Sequence, residues 1–261
     1  MIPLNHFLQE YYLDPILNKR DLYRFVNIII DSSNKKRITK KSCTRNVEIT
    51  YLGKINDLFY FDVFTSKVTF SSAQSIRNEQ LMKEDSYAFD DIMLGVNDKG
   101  TIVKVKNLKE MQKRWTETKL ELRKDHEGFE FEDFLSAITA VLDDEDKTVY
   151  FLNTKGVFGL YFHGLFGKND VEKMPIKRKC TLLDLDNTEI TEEISIDKRG
   201  PQIIIGAEKS DDATKKMISN TIEIQNYQGI ISYNASNQLT EANLKIETEN
   251  RNLNYNIVWV G

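Results

Sequence analysis

Strand-like alternation of apolar and polar residues runs along this chain to about Val105, stops, and resumes near Met174. Between these points lie two helix patterns and an aromatic run spaced by glycines, Gly156-Val-Phe-Gly-Leu-Tyr-Phe-His-Gly-Leu-Phe-Gly167. A period of two on either side of a period of 3.6 is the strongest constraint on the fold, because a helical layer must sit between two halves of a sheet.

The first half reads as an arm over residues 1–18, a short helix or a packed segment broken at Asp14-Pro15, followed by a sheet part over residues 20–106. Leu22 to Ile30 is rich in β-branched and aromatic residues, as are Val47 to Leu52 and Leu58 to Phe70,. Asn56-Asp57 and Asp98-Lys-Gly100 mark hairpin turns,. Ser71 to Met93 is mixed and yields no assignment.

A helical insertion over residues 108–166 follows. Asn107 with Glu110 reads as a capping box, and Leu108, Met111, Trp115 and Leu122 recur at helical spacing,. Gly128 is expected to end that helix; Phe131, Phe134, Leu135, Ile138 and Val141 form the face of a second, which the acidic run Asp143 to Asp146 is expected to terminate,. A second sheet part, residues 174–260, carries short strands joined by tight turns such as Asp186-Asn187, with a strand also expected over Ile218 to Ile224. Turns this short demand antiparallel pairing. The expected fold is therefore a single α+β domain over residues 1–261: a mainly antiparallel, strongly curved sheet or open barrel of about ten strands, its concave face covered by the helices.

The residues that carry chemistry are sparse. Among His6, His126 and His163, no pair has the spacing of a zinc site; His163 is the best placed for catalysis, because apolar neighbours would shift its pKa,. No nucleophile elbow, phosphate loop or calcium loop accompanies it. The expectation is no enzyme, no metal and no cofactor. Cys43 and Cys180 lack CxxC spacing and read as free thiols,. No export signal or membrane span is recognised, so the expected location is cytoplasmic. A net charge of −4 gives no case for nucleic acid,.

Surfaces remain. Lys35, Lys36, Arg37, Lys40, Lys41 and Arg45 form one dense basic cluster, read as a solvated loop, as a patch for an acidic protein or, last, as a nucleic-acid contact that lacks interleaved stacking aromatics,. An acidic helical layer, Glu121, Asp125, Glu127, Glu130, Glu132 and Asp133, offers the opposite sign. Tyr11, Tyr12, Phe64 and Tyr87 sit in weak core patterns and are candidate aromatic anchors,. The aromatic run reads as core filling or, alternatively, as an exposed docking patch or pocket lining; in the last case Trp115, Phe134 and Phe162 would line a cavity for an apolar ligand,.

The succession Val103-Lys-Val-Lys-Asn-Leu108, Trp115 on a charged amphipathic helix, Phe158-Gly-Leu-Tyr-Phe-His-Gly-Leu-Phe166 and late meander strands resembles uncharacterised proteins of Bacteroidetes-type bacteria. Tyr233-Asn-Ala-Ser-Asn-Gln-Leu-Thr-Glu-Ala-Asn-Leu-Lys-Ile-Glu247 is similar to the half-barrel sheets of lipoprotein-carrier-like folds. Some such cytoplasmic proteins accompany type VI secretion systems as adaptors or immunity proteins. The resemblance transfers no functional residue, and the chain lacks the lipobox cysteine of secreted lipoprotein carriers. The function expected is a non-enzymatic cytoplasmic protein-binding module, an adaptor, chaperone or immunity-type partner of a secreted bacterial effector. The alternative is a carrier of an apolar ligand in a half-barrel cavity.

Overall fold

A computed structural model describes residues 10–34, 36–72, 88–197, 202–207 and 222–261. The chain enters through β1 (Glu10–Leu13) and then forms a meander of β2 (Arg20–Asp31), β3 (Thr39–Ile55), β4 (Leu58–Ser72), β5 (Asp91–Val96) and β6 (Ile102–Val105). Four helices follow: α1 (Leu108–Asp125), α2 (Phe129–Leu142), α3 (Glu145–Asn153) and α4 (Gly156–Tyr161). After β7 (Gly167–Asp170) comes a second meander of β8 (Ile176–Leu182), β9 (Thr188–Ile196), β10 (Gln202–Ala207), β11 (Ile224–Tyr233), β12 (Leu239–Thr248) and β13 (Arg251–Trp259).

The two meanders fuse because the first and last long strands pair. β2 runs antiparallel to β13 from Asp31↔Arg251 to Tyr23↔Trp259. The result is one antiparallel sheet of eleven described strands, in the order β6-β5-β4-β3-β2-β13-β12-β11-β10-β9-β8. It is an open sheet with edges at β6 and β8, not a closed barrel. These edge strands are also the two ends of the helical insertion, so the helices have to cross one face of the sheet to join them. That requirement explains why one face is buried and the other is wet.

Alternation puts the apolar residues on the covered face. Tyr23 and Phe25, Phe59, Phe61 and Val63, Leu253, Tyr255 and Ile257 are all buried, while Asn252, Asn254 and Asn256 point the other way. The short helix α4 lies over β2, β12 and β13 at the centre of the sheet, α3 packs on β6, and α1 approaches β5. Tyr161 of α4 meets Tyr23 edge-on, with ring centroids 5.5 Å apart, and Phe162 sits 5.0 Å from Phe61. Aromatic pairs of this kind add about 0.5–1.5 kcal/mol beyond their area burial.

Both sheet edges are managed. Asn153 of α3 clamps β6 as a strand would: its Oδ1 accepts from the Ile102 N–H at 3.0 Å, and its Nδ2 donates to the Ile102 carbonyl at 2.8 Å. On β8, Lys177 and Lys179 pair with Glu193 and Glu189 of β9, which places charge along the other edge,.

The turns read from sequence form as expected. Asn56-Asp57 and Asp186-Asn187 hold positive φ at both residues, the conformation that a two-residue hairpin of this twist requires,. Five local expectations need correction. Glu10–Leu13 is a strand paired with β7, not a helix, because its alternate residues pack inward at Leu13; residues 1–9 lie outside those described. Asn107 occupies the N-cap position of α1 but makes no cap bond. Its side chain instead accepts from the Met93 N–H at 2.8 Å and donates to the Asp91 carbonyl at 3.0 Å, serving the part of β5 that the short β6 cannot reach. Gly128 starts α2 and does not end α1, which closes at His126. The acidic run ends one helix and begins another: Asp144 caps α3 by accepting from the Lys147 N–H at 3.0 Å, so Glu145 and Asp146 lie at the favourable end of a helix dipole,. Finally, only Gly156–Tyr161 of the glycine-spaced aromatic run is helical, so the helices end at Tyr161 and not at Phe166. The strand expected over Ile218 to Ile224 and most of Ser71 to Met93 lie outside the described residues.

Candidate functional site

The basic cluster occupies the hairpin between β2 and β3. Local side-chain bonds shape this turn, as Asx motifs do. Asp31 Oδ1 accepts from the Ser33 N–H at 2.8 Å, Asn34 Oδ1 accepts from the Lys36 N–H at 3.0 Å, and the Ser32 N–H donates to the Asn250 carbonyl at 2.8 Å. Hydrogen bonds from Ser33, and the Arg251 guanidinium 3.5 Å away, hold the Asp31 carboxyl below the usual carboxylate range. With the turn fixed, Lys36, Arg37, Lys40 and Lys41 project into solvent, and none makes an ion pair among the described residues. Ile38, in the middle of them, is 65% exposed. Lys35 lies outside the described residues.

The anchors do not gather around this hairpin. Tyr12 and half-buried Tyr11 stand on β1, where the Tyr12 hydroxyl donates to Glu10 at 2.9 Å and Lys168 pairs with Glu10 at 2.7 Å. Phe64 is exposed on the uncovered face of β4, beside Glu48 and Asp91 in register. It lies eight residues from Ser72 at the hairpin end of that strand, roughly 26 Å along it. Tyr87 lies outside the described residues. The sequence-selected surface residues thus fall into separate patches.

The opposite charge is concentrated at the tip between α1 and α2. Glu121 pairs with Lys124 at 2.6 Å and Glu132 with Arg123 at 2.7 Å. Asp125, Glu127, Glu130 and Asp133 are exposed and make no ion pair among the described residues. Phe129 stands among them at 82% exposure. Sequence reading passed over both Phe129 and Ile38. Phe129 sits off the buried stripe of Phe131, Leu135, Ile138 and Leu142, and that offset was the signal that it faces outward.

Trp115 and Phe162 belong to the hydrophobic core, and Phe134 packs against it. Trp115 is buried between α1 and α2, where its Nε1–H donates to Thr139 Oγ1 at 2.9 Å, and Phe134 is half-buried on α2. Phe162 is fully buried against Phe61 and Tyr161. Among the described residues, a cleft of about 20 Å³ is bordered by Asp21, Tyr23, Tyr161, Tyr233 and Gln238. That is room for about one water molecule.

His163 is fully buried beside this cleft. Its Nδ1 accepts from the Leu165 N–H at 3.1 Å, so Nε2 carries the proton in the neutral ring and donates to the Tyr233 hydroxyl at 2.7 Å,. Both nitrogens are occupied by non-acidic partners. Burial, reinforced by the Arg178 charge, pushes its pKa down to about 3, so the ring stays neutral throughout the physiological range,. Its titration is therefore coupled to folding stability. In the unfolded chain the ring takes up a proton as pH falls below about 6.5, while the folded protein refuses it. Stability contributed by His163 is therefore complete above that pH and is lost on acidification at up to about 1.4 kcal/mol per pH unit. Urea unfolding at neutral pH and near pH 5 should show a steeper acid loss for the native chain than for His163→Gln, by roughly 1–2 kcal/mol. Equal slopes would mean that the ring is protonated in the fold.

A second buried centre joins the helical layer to the sheet. Arg178 of β8 and Glu192 of β9 form an ion pair with side chains only 6% and 4% exposed. Arg178 Nε reaches Glu192 Oε2 at 2.8 Å, while Nη1 and Nη2 donate to the carbonyls of Phe162 and Gly159 at 2.5 and 3.0 Å. The Tyr227 hydroxyl donates to the other Glu192 oxygen. Every strong acceptor here has a donor, and the guanidinium closes the negative end of α4. Cys180, half-buried nearby, has its thiol pushed far up by burial and by the Glu192 charge, which makes it a poor nucleophile,. Cys43 is also a free, buried thiol. Among the described residues, no three histidine, cysteine, aspartate or glutamate side chains converge as a metal site. No described helix is long and apolar enough to cross a membrane.

No protein-family model matches the chain, and no curated protein matches its sequence. Among solved structures, the chain is similar to lipovitellin, in a structure concerned with lipid–protein interactions in that protein. The TM-score is 0.49 at 8% identity, over 94% of this chain and 25% of that one. The chain thus spans a quarter of the length of that neighbour.

Proposed function

We propose that this chain is a non-enzymatic, cytoplasmic protein-binding module whose β2–β3 hairpin receives an acidic surface of a partner protein. The observation that carries this reading is the hairpin itself: Lys36, Arg37, Lys40 and Lys41 are exposed and unpaired among the described residues, on a turn fixed by its own hydrogen bonds, around the exposed Ile38. Unpaired charge on a preshaped turn steers an encounter, and an apolar centre gives it affinity. Within this class, the resemblance described above implies an adaptor, chaperone or immunity-type partner of a secreted bacterial effector. The alternative, a carrier of an apolar ligand, would need more room than the cleft of about 20 Å³ described above offers,.

The test is capture from bacterial cytoplasm at moderate salt, with crosslinking to locate the contact. The native chain is expected to retain a partner whose crosslinks fall on residues 36–41 and on an acidic segment of that partner. Lys36→Glu, Arg37→Glu, Lys40→Glu and Lys41→Glu together should weaken retention about tenfold or more, and added salt should do the same. A partner held equally well by both forms, or no partner at all, would overturn the assignment.

A further inference from the structure

The two tips described above are complementary to each other. Each presents an apolar residue at its centre, Ile38 on one and Phe129 on the other, at 65% and 82% exposure. Each surrounds that residue with exposed charges that find no partner among the described residues: Lys36, Arg37, Lys40 and Lys41 on the hairpin, Asp125, Glu127, Glu130 and Asp133 on the helical tip. The basic side chains near the acidic tip, Arg123 and Lys124, are already neutralised by Glu132 and Glu121. A lone exposed apolar side chain is common on protein surfaces; it is the ring of one sign of charge around Ile38 and of the other sign around Phe129 that makes the two tips complementary,.

We propose that the chain self-associates head to tail, the α1–α2 tip of one copy seating on the β2–β3 hairpin of the next. This rests on the reading of the hairpin as a docking site for acidic protein surface, and names a second copy of the chain as an occupant. Phe129 packs on Ile38 and the aliphatic stems of the lysines, while the carboxylates of the tip meet the four cations around it. The two surfaces differ, so the contact is heterologous. It propagates into a ring or an open string and not into a twofold dimer. A heterologous acidic partner would compete with the helical tip for the same hairpin.

Sedimentation of the purified chain over a concentration series tests this. At low salt the mass should rise with concentration past the dimer, and high salt should weaken association about tenfold or more. Two variants are decisive, one carrying Asp125→Lys, Glu127→Lys, Glu130→Lys and Asp133→Lys, the other carrying the four hairpin reversals. All changes are at exposed positions, and unchanged unfolding curves confirm that both variants fold. Each variant alone should remain monomeric, because its two tips repel; the two mixed should associate again. Phe129→Ala should weaken the native assembly without altering any charge. A native chain that stays monomeric at low salt, a reversed variant that still assembles, or a mixture that does not would overturn the proposal. A monomeric chain would leave the capture of another protein by the hairpin as a separate result, so the two readings fail independently.

Discussion

Arg178→Met should lower the unfolding free energy by about 3–5 kcal/mol, the range for removing one partner of a buried ion pair. The substitution leaves the Glu192 carboxylate, only 4% exposed, without its cation, the Tyr227 hydroxyl still donating to it. It also strips the carbonyls of Phe162 and Gly159 of the donors that close α4. Methionine fills similar volume, so little of the loss comes from a cavity. Replacing both charges, Arg178→Met with Glu192→Leu, should recover much of the loss, because no uncompensated charge remains. Recovery should be incomplete, since each buried carbonyl left without a donor costs about 1–3 kcal/mol. Urea denaturation of the two single variants and the double closes the cycle. Strictly additive losses, or an Arg178→Met loss below about 1 kcal/mol, would show that the pair is solvated in the native protein.

The same pair shows what was legible in the sequence and what was not. Strands and hairpins could be read because their causes are local. Period-two alternation selects a face, and Asn56-Asp57 or Asp186-Asn187 tolerates the left-handed backbone that a tight hairpin needs,. The pairing of β2 with β13, which makes one sheet from two meanders, depends on residues more than two hundred positions apart and leaves no local mark. Arg178 and Glu192 did leave one. Arg178 alternates with Ile176, Cys180 and Leu182, and Glu192 with Ile190, Ile194 and Ile196, so each charge stands in the apolar register of its strand. Two opposite charges in the buried register of adjacent strands signal a buried pair, a sign that the sequence reading above did not single out. The helical layer was placed correctly but divided too coarsely. α3 and α4 are short, and intrinsic propensity says little over so few residues against the pull of tertiary contacts,. Asn107 illustrates the same limit: a good cap residue is captured by a neighbouring strand that needs its amide more. Of the surface, charge was readable and geometry was not. The basic and acidic clusters stood out, but the exposure of Ile38 and Phe129 depended on how a hairpin and a helix start were turned.

Gly100→Ala should be among the most damaging single-methyl changes in this chain, for two separable reasons. Gly100 closes the turn between β5 and β6 at φ +74°, where an L side chain is strained,. A Cβ there would lie 2.0 Å from the Phe162 carbonyl oxygen and 2.5 Å from the Gly164 nitrogen, both backbone atoms of the segment leaving α4. The two glycines pack main chain against main chain, and this contact seats the end of the helical layer on the sheet. Left-handed strain costs about 1–2 kcal/mol and forced overpacking about 1–3 kcal/mol more. Two further glycines separate these effects. Gly128 has φ +117° but nothing within 4 Å of a Cβ, so Gly128→Ala reports backbone strain alone, about 1–3 kcal/mol,. Gly206, on β10, has neither an unusual φ nor a neighbour within 4 Å, and Gly206→Ala should be neutral or stabilising by up to about 1 kcal/mol,. The order of unfolding midpoints is therefore expected to be Gly206→Ala at or above the native chain, then Gly128→Ala, then Gly100→Ala well below both. If Gly100→Ala unfolds no more easily than Gly128→Ala, the turn is free to move away from Phe162. The helical layer would then be held to the sheet by Arg178 and the aromatic core without the glycine contact.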